Sequence, residues 1–159
     1  MRLSGVARRR RMAGFTLVEL AVVATMIAIL AAMAVPVARY SLRRQRELEL
    51  RHQLRTMREA IDKYKQLSDS GLIPLELGGE GYPPDLEALV KGVDLVGTVK
   101  KKQRLLRRVP VDPMTGKAEW GLRSYQDEPE SLSWGGQNVY DVYSLSEQKA
   151  LDGSLYSSW

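Results

Sequence analysis

The sequence predicts an α+β chain: one long N-terminal α-helix, membrane-spanning in its first half and amphipathic in its second, packed on a small antiparallel β-sheet domain. Three observations predict it. Residues 15–38 are apolar except for polar Thr16, Thr25 and the one charge at Glu19, and the 19 residues 20–38 carry no charge at all. Residues 39–70 contain neither glycine nor proline and hold an apolar stripe at helical spacing. Residues 71–159 break into short segments punctuated by glycine and proline, with strand-like runs near the end.

The first half of the helix is long enough to cross a bilayer. At ~1.5 Å per residue such a run reaches ~30 Å, the thickness of a hydrocarbon core. Glu19 is its anomaly. A carboxylate in hydrocarbon costs about 2.5–3.5 kcal/mol on insertion scales, so it calls for a partner. Pro36 removes one backbone hydrogen bond and strains the preceding turn, which predicts a kink. In the second half, Leu50, Leu54, Met57, Ile61 and Tyr64 recur at spacings of four, three, four and three, one apolar face of a helix. Glu47 with Arg51, Arg55 with Glu59, and Glu59 with Lys63 fall at helical spacing on the other face. Such pairs contribute about 0.2–0.5 kcal/mol each and mark a solvated surface rather than a site. His52 lies on the same charged face and is read as solvated. Gly71 is the stop signal.

Gly71, Pro74, Gly78, Gly79, Gly81, Pro83 and Pro84 make a loop. Residues 84–90 read as a short helix with proline and acids in its first turn. The basic stretch 100–108 carries Leu105 and Leu106 and reads as a solvated connection, with a contact to anionic lipid or a partner as the alternative. Pro110, Pro113 and Gly116 fix a rigid turn. Strands are expected over residues 118–125 and 139–145, with the turn between them around Gly135-Gly136.

Composition excludes several function classes. The chain has no cysteine and one histidine, so neither a disulfide nor a zinc site is available. The net charge of +5 comes from the leader: Arg2, Arg8, Arg9, Arg10 and Arg11 stand before Gly14 with no acid among them. Without them, 24 − 5 = 19 basic residues balance 19 acidic ones, so the charge does not point to nucleic acid. Gly78-Gly79-Glu80-Gly81 lacks the strand, lysine and helix of a phosphate loop. No serine stands in a nucleophile elbow. Trp120, Trp134 and Trp159 are read as packing residues rather than a base-stacking platform. No enzyme is expected.

A secretory signal peptide would place its cut after a short apolar run. Here the run is too long and no small-residue exit follows it. Gly14-Phe15-Thr16-Leu17-Val18-Glu19, after a basic leader, instead resembles the class III signal of type IV pilins and type II secretion pseudopilins. The resemblance implies a type IV pilin-like fold. It also implies cleavage between Gly14 and Phe15 by a prepilin peptidase that methylates the new N-terminus. Glu19 becomes the fifth mature residue, where the family has its glutamate, and Pro36 falls where the family often has a proline. The boundaries that follow are a cleaved leader at 1–14, a filament-core helix at 15–38, an amphipathic half at 39–70 and a periplasmic domain at 71–159. The leader arginines would hold the N-terminus in the cytoplasm, although Arg39, Arg43, Arg44 and Arg46 stand on the far side of the span. The expected location is the bacterial inner membrane, single-pass, with a periplasmic filament after assembly. An uncleaved signal anchor is the bland alternative. Pro36 reads either as a point where the helix bends or melts as subunits pack, or as an ordinary membrane-helix kink.

Tyr82-Pro83-Pro84-Asp85-Leu86-Glu87-Ala88-Leu89, Leu106-Arg107-Arg108-Val109-Pro110-Val111-Asp112-Pro113 and Tyr140-Asp141-Val142-Tyr143-Ser144-Leu145 are similar to the G-type major pseudopilin of type II secretion. That similarity implies a structural subunit polymerised with its own copies and minor pseudopilins. It also implies an inner-membrane assembly platform powered by a cytoplasmic ATPase. A type IV pilus subunit for adhesion or motility, and a membrane-anchored periplasmic domain that never polymerises, are the alternatives. The G-type family also implies one calcium ion in the C-terminal loop. Here Gln148 stands where the family commonly has its first loop aspartate. Asp152 remains, with Glu147 near it, to be joined by Ser144, Ser146 and main-chain oxygens. One clear carboxylate is few for an ion that takes six to eight oxygens, and a plain loop closed by Asp152-Gly153 is the other reading.

Overall fold

In the computed structural model of the chain, residues 14–74, 80–97 and 102–159 are described. The leader arginines, Gly78-Gly79 and Lys100-Lys101 lie outside the described residues. Helix α1 runs Leu17–Asp69 with Pro36 inside it, close to the expected span. The chain divides into two units, one ending at Ser41 and one covering Leu42–Trp159.

In the first unit every described residue is exposed. Its most apolar window reaches a mean hydropathy of 2.5 with none of it buried. A helix that is apolar all round requires lipid or other helices as its solvent.

The second unit is built on the predicted stripe. Leu50, Leu54, Met57, Ile61 and Tyr64 are all buried, joined by Ala60. Each large side chain so buried contributes about 1.5–3 kcal/mol. The stripe packs with Ile73, Leu89, Leu106, Trp120, Val139, Val142 and Tyr156 in one core. The short helix α2, Leu86–Lys91, is capped by Asp85, whose carboxylate accepts the Ala88 N–H at 2.7 Å. Gly92 ends it at φ 82, a left-handed angle that glycine adopts without strain.

The basic stretch differs from its expectation. Strand β1, Val93–Asp94, pairs antiparallel with β2, Lys102–Gln103. Beyond Arg104, the amides of Leu105 and Leu106 both donate to the Leu89 carbonyl, at 3.0 and 2.9 Å. Leu106 enters the core. The lysines and arginines dominate the composition of this stretch, but its two leucines pack and seal the end of α2.

Strands β3, Gly121–Arg123, and β4, Asp141–Tyr143, pair antiparallel with Leu122 opposite Val142. They form a second two-stranded sheet rather than one sheet with β1 and β2. Both are shorter than the alternation suggested, because side chains capture the backbone beyond them. Asp127 takes the Ser124 N–H at 2.7 Å and Asn138 takes the Tyr125 N–H at 3.0 Å. After β4, the Ser146 N–H turns to the Ser144 hydroxyl at 3.1 Å. Trp120 donates its indole N–H to the Pro110 carbonyl at 2.9 Å, tying the rigid turn to the sheet.

Gly121 allows a close approach. A Cβ there would lie 2.2 Å from the ring of Tyr143. That ring has nowhere to go. Its hydroxyl donates to the Leu132 carbonyl at 3.0 Å and Arg123 stacks on its face at 4.2 Å. Gly121→Ala is expected to destabilise the folded chain by about 1–3 kcal/mol, read as a lowered urea midpoint with unchanged slope in tryptophan fluorescence.

Candidate functional site

At the N-terminal end, Gly14 is exposed and has open space around its Cα, and Phe15 is 73% exposed. Both are accessible, as a peptide bond to be cut must be. Helix α1 begins two residues after Phe15. Thr16 accepts the Glu19 N–H on its hydroxyl at 3.2 Å. This is the first limb of a capping box, and Thr16-Leu17-Val18-Glu19 is its sequence signature, Thr-x-x-Glu. That signal was present in the sequence and was missed. It gives Thr16 a positioning role: it fixes the first turn from which the Glu19 side chain projects. A carboxylate near a helix N-terminus also opposes the positive end of the helix dipole. Pro36 lies about one helical turn before the first of the basic residues that follow the span, Arg39.

At the C-terminal end, the residues named for calcium fall into two hydrogen-bonded groups. Ser144 is fully buried and donates its hydroxyl to Asp112 Oδ2 at 2.7 Å. Asp112, buried in the rigid turn, also accepts the Met114 N–H at 2.7 Å. Ser146 is buried beside Ser144 and accepts the Gln148 N–H at 3.4 Å. Asp152 belongs to a different set. Its Oδ1 accepts the Ser154 hydroxyl at 2.6 Å and the Ser154 N–H at 2.9 Å. Its Oδ2 faces the Arg51 guanidinium at 3.6 Å. Among the described residues no three His, Cys, Asp or Glu side chains gather into a metal-binding group. Ser144 donates to Asp112, Ser146 bonds Ser144 and Gln148, and Asp152 faces an arginine, so this donor set does not fit a calcium ion.

Sequence reasoning also misplaced Glu47. Helical spacing puts it on the solvated face with Arg51, yet it is 9% exposed. Its Oε1 accepts the Tyr156 hydroxyl and the Leu151 N–H, both at 2.8 Å. Residues more than 100 positions away cover it, which no helical periodicity can report. Burial pushes the Tyr156 phenol up from its ordinary pKa, so its hydroxyl stays a donor to Glu47. Arg58, also on α1, donates to Asp141 at 2.7 Å and to the main-chain oxygens of Val142 and Trp159 at 3.1 and 2.9 Å. His52 is exposed, as expected.

The hydrogen bonds from Ser154, with Arg51 nearby, hold the Asp152 carboxyl below its ordinary pKa. The sign follows from linkage. A depressed carboxylate contributes stability above the ordinary carboxylate range, and loses it as pH falls through the depressed folded value. In carboxyl-carbon NMR, Asp152 is expected to titrate below the unstructured aspartates, and Ser154→Ala to return it toward them.

The methylation signal and the globular half both have known counterparts. The family described as the prokaryotic N-terminal methylation motif matches residues 9–35, a span that contains Gly14, Phe15 and Glu19. The type II secretion system core protein G of Pseudomonas aeruginosa is 32% identical over 152 residues, covering 92% of each chain. No solved structure matches the chain. The likeness runs through the long helix and the domain laid on it, which together form a pilin-like α+β fold. The chain therefore belongs to the type II secretion system core protein G family, the major pseudopilins.

Proposed function

We propose that the chain is made as a precursor, cut between Gly14 and Phe15, methylated on Phe15 and polymerised into a periplasmic pseudopilus that drives type II secretion. The observation that carries this reading is the likeness to core protein G over 92% of the chain, with the methylation motif at its head. The partners are further copies of itself, minor pseudopilins, a prepilin peptidase and methyltransferase, and an inner-membrane platform powered by a cytoplasmic ATPase. The chain is anchored by one membrane helix, its N-terminus in the cytoplasm and its C-terminal domain in the periplasm. Its work is structural, with no catalysis. The surface-pilus alternative shares the N-terminal motif, but the likeness to core protein G extends across the globular half.

Assembly is a change of solvent for one helix. The exposed apolar half of α1 can leave lipid for the helices of neighbouring subunits, because both are apolar. The domain beyond Leu42 stays wet throughout. The move is not driven by hydrophobic burial, since lipid is as apolar as leucine; packing and polar pairing must supply it. Glu19 supplies the pairing, with the Phe15 ammonium group of a neighbour. A subunit out of register leaves both charges unpaired in a dry core, at a cost of about 3–5 kcal/mol. Pro36 relieves part of the backbone bonding where the helix bends during packing.

Intact mass and N-terminal sequencing of the protein from native membranes are expected to give a chain beginning at N-methyl-Phe15. A chain retaining Arg8 to Arg11 would reduce it to a simple signal anchor. Glu19→Leu is expected to insert in the membrane at normal levels and yield no filaments by electron microscopy. Normal filaments from that variant would sink the register role.

A further inference from the structure

Within the second unit, three α1 residues one turn apart, Arg43, Glu47 and Arg51, grip the segment 149–159. Arg43 donates Nη2 to the Lys149 carbonyl and Nε to the Tyr156 hydroxyl at 3.4 Å. Glu47 accepts from Tyr156 and from the Leu151 N–H, both at 2.8 Å. Arg51 faces Asp152 at 3.6 Å and lies 4.2 Å above the Trp159 ring. The last of these contacts closes a circuit. Trp159 donates its indole N–H to Ser154 Oγ at 2.7 Å, and Ser154 donates to Asp152, which faces Arg51.

Several oxygens that a cation would use in this loop already have donors. Arg43 holds the Lys149 carbonyl. The carbonyls of Gln148, Ala150 and Ser154 accept main-chain N–H groups of Tyr156, Gly153 and Ala150. Asp152 is committed to Ser154 and Arg51. The guanidinium groups of Arg43 and Arg51 stand at the Lys149 carbonyl and at the Asp152 carboxylate, and their positive charge opposes a divalent ion there. A hard cation also demands several carboxylates, and Gln148 removes one.

We propose that Arg43, Glu47 and Arg51 form a built-in latch that replaces a metal ion, so that this pseudopilin closes its C-terminal segment without calcium. The consequence is a change in what controls the segment: ionic strength acts on it, and chelators do not. The inference concerns the folded subunit alone and stands apart from how the filament is processed.

The test uses the full chain in detergent. The Lys149–Ala150 bond is a trypsin site inside the latch, and Lys149 is exposed. Cleavage there is read by the loss of residues 150–159 in the mass spectrum, and thermal unfolding by tryptophan fluorescence. With excess calcium or with EGTA, the midpoint is expected to agree within about 1 °C and the cleavage rates to agree within error; ligand at 100 times its Kd would instead raise the midpoint by about 5–10 °C. Arg43→Gln with Arg51→Gln is expected to speed cleavage about tenfold or more, since cleavage follows the population of the open segment. That acceleration should be the same in calcium and in EGTA. High sodium chloride should also speed cleavage of the parent chain. A calcium-dependent midpoint, or unchanged cleavage in the double variant, overturns the latch.

Discussion

Everything in the second unit depends on the buried face of α1 from Leu50 to Tyr64. No other element can organise a core. The strands are two or three residues long and α2 has six residues. Pieces so short do not hold themselves together, because a two-stranded ribbon is marginal in water and a helix of under two turns does not outlast its nucleation cost. The long helix provides a rigid apolar strip, and each short element is stable only as part of the layer that covers it. The same helix carries, before Leu42, a surface that water cannot solvate well. One element therefore serves two environments, and the change from uniform apolarity to a stripe marks the boundary between them.

Polar contacts then decide how the covering layer is seated. Asp141 at the start of β4 lies between Arg58 of α1, at 2.7 Å, and Arg123 of β3, at 3.3 Å. Arg123 is itself buried and donates further to the main-chain oxygens of Ser131 and Ser157. Glu47 does the equivalent work for the segment after Ala150. Among the described residues no buried side-chain polar atom lacks a partner. Hydrogen-bonded groups of this kind contribute modestly to net stability, but a misplaced segment would strand them, and that asymmetry enforces one arrangement.

Much of this was legible in the chain. The apolar half of α1 showed in its lack of charge, the stripe in its spacing, and α2 in Pro84-Asp85 before a run of helix formers. The positions of β3 and β4 were legible and their lengths were not, because Asp127, Asn138 and Ser144 take up the neighbouring backbone groups. The basic stretch differs from its expectation because Leu105 and Leu106 are taken into packing that charge composition does not report. The methylation motif was visible in the chain, yet Thr16, which caps the turn presenting Glu19, was passed over despite a signature of four residues. For calcium, the sequence showed the shortage of carboxylates. It did not show that Arg51 faces the remaining one, or that Ser144 is turned toward Asp112.

What the sequence by itself determined is what repeats or sits close along the chain: the length of the apolar run, the stripe, the caps, and the Gly14-Phe15 signal with Glu19 at its fixed distance. Those features depend on neighbours within a few residues, and local sterics and periodicity encode them directly. What only the tertiary structure decided is which distant groups meet. Glu47 and Tyr156 lie 109 positions apart, Arg58 and Asp141 83 apart, and Ser144 and Asp112 32 apart. A charge on a helix face is solvated or buried according to what the rest of the chain lays over it, and that is settled by packing through space rather than by spacing along the chain.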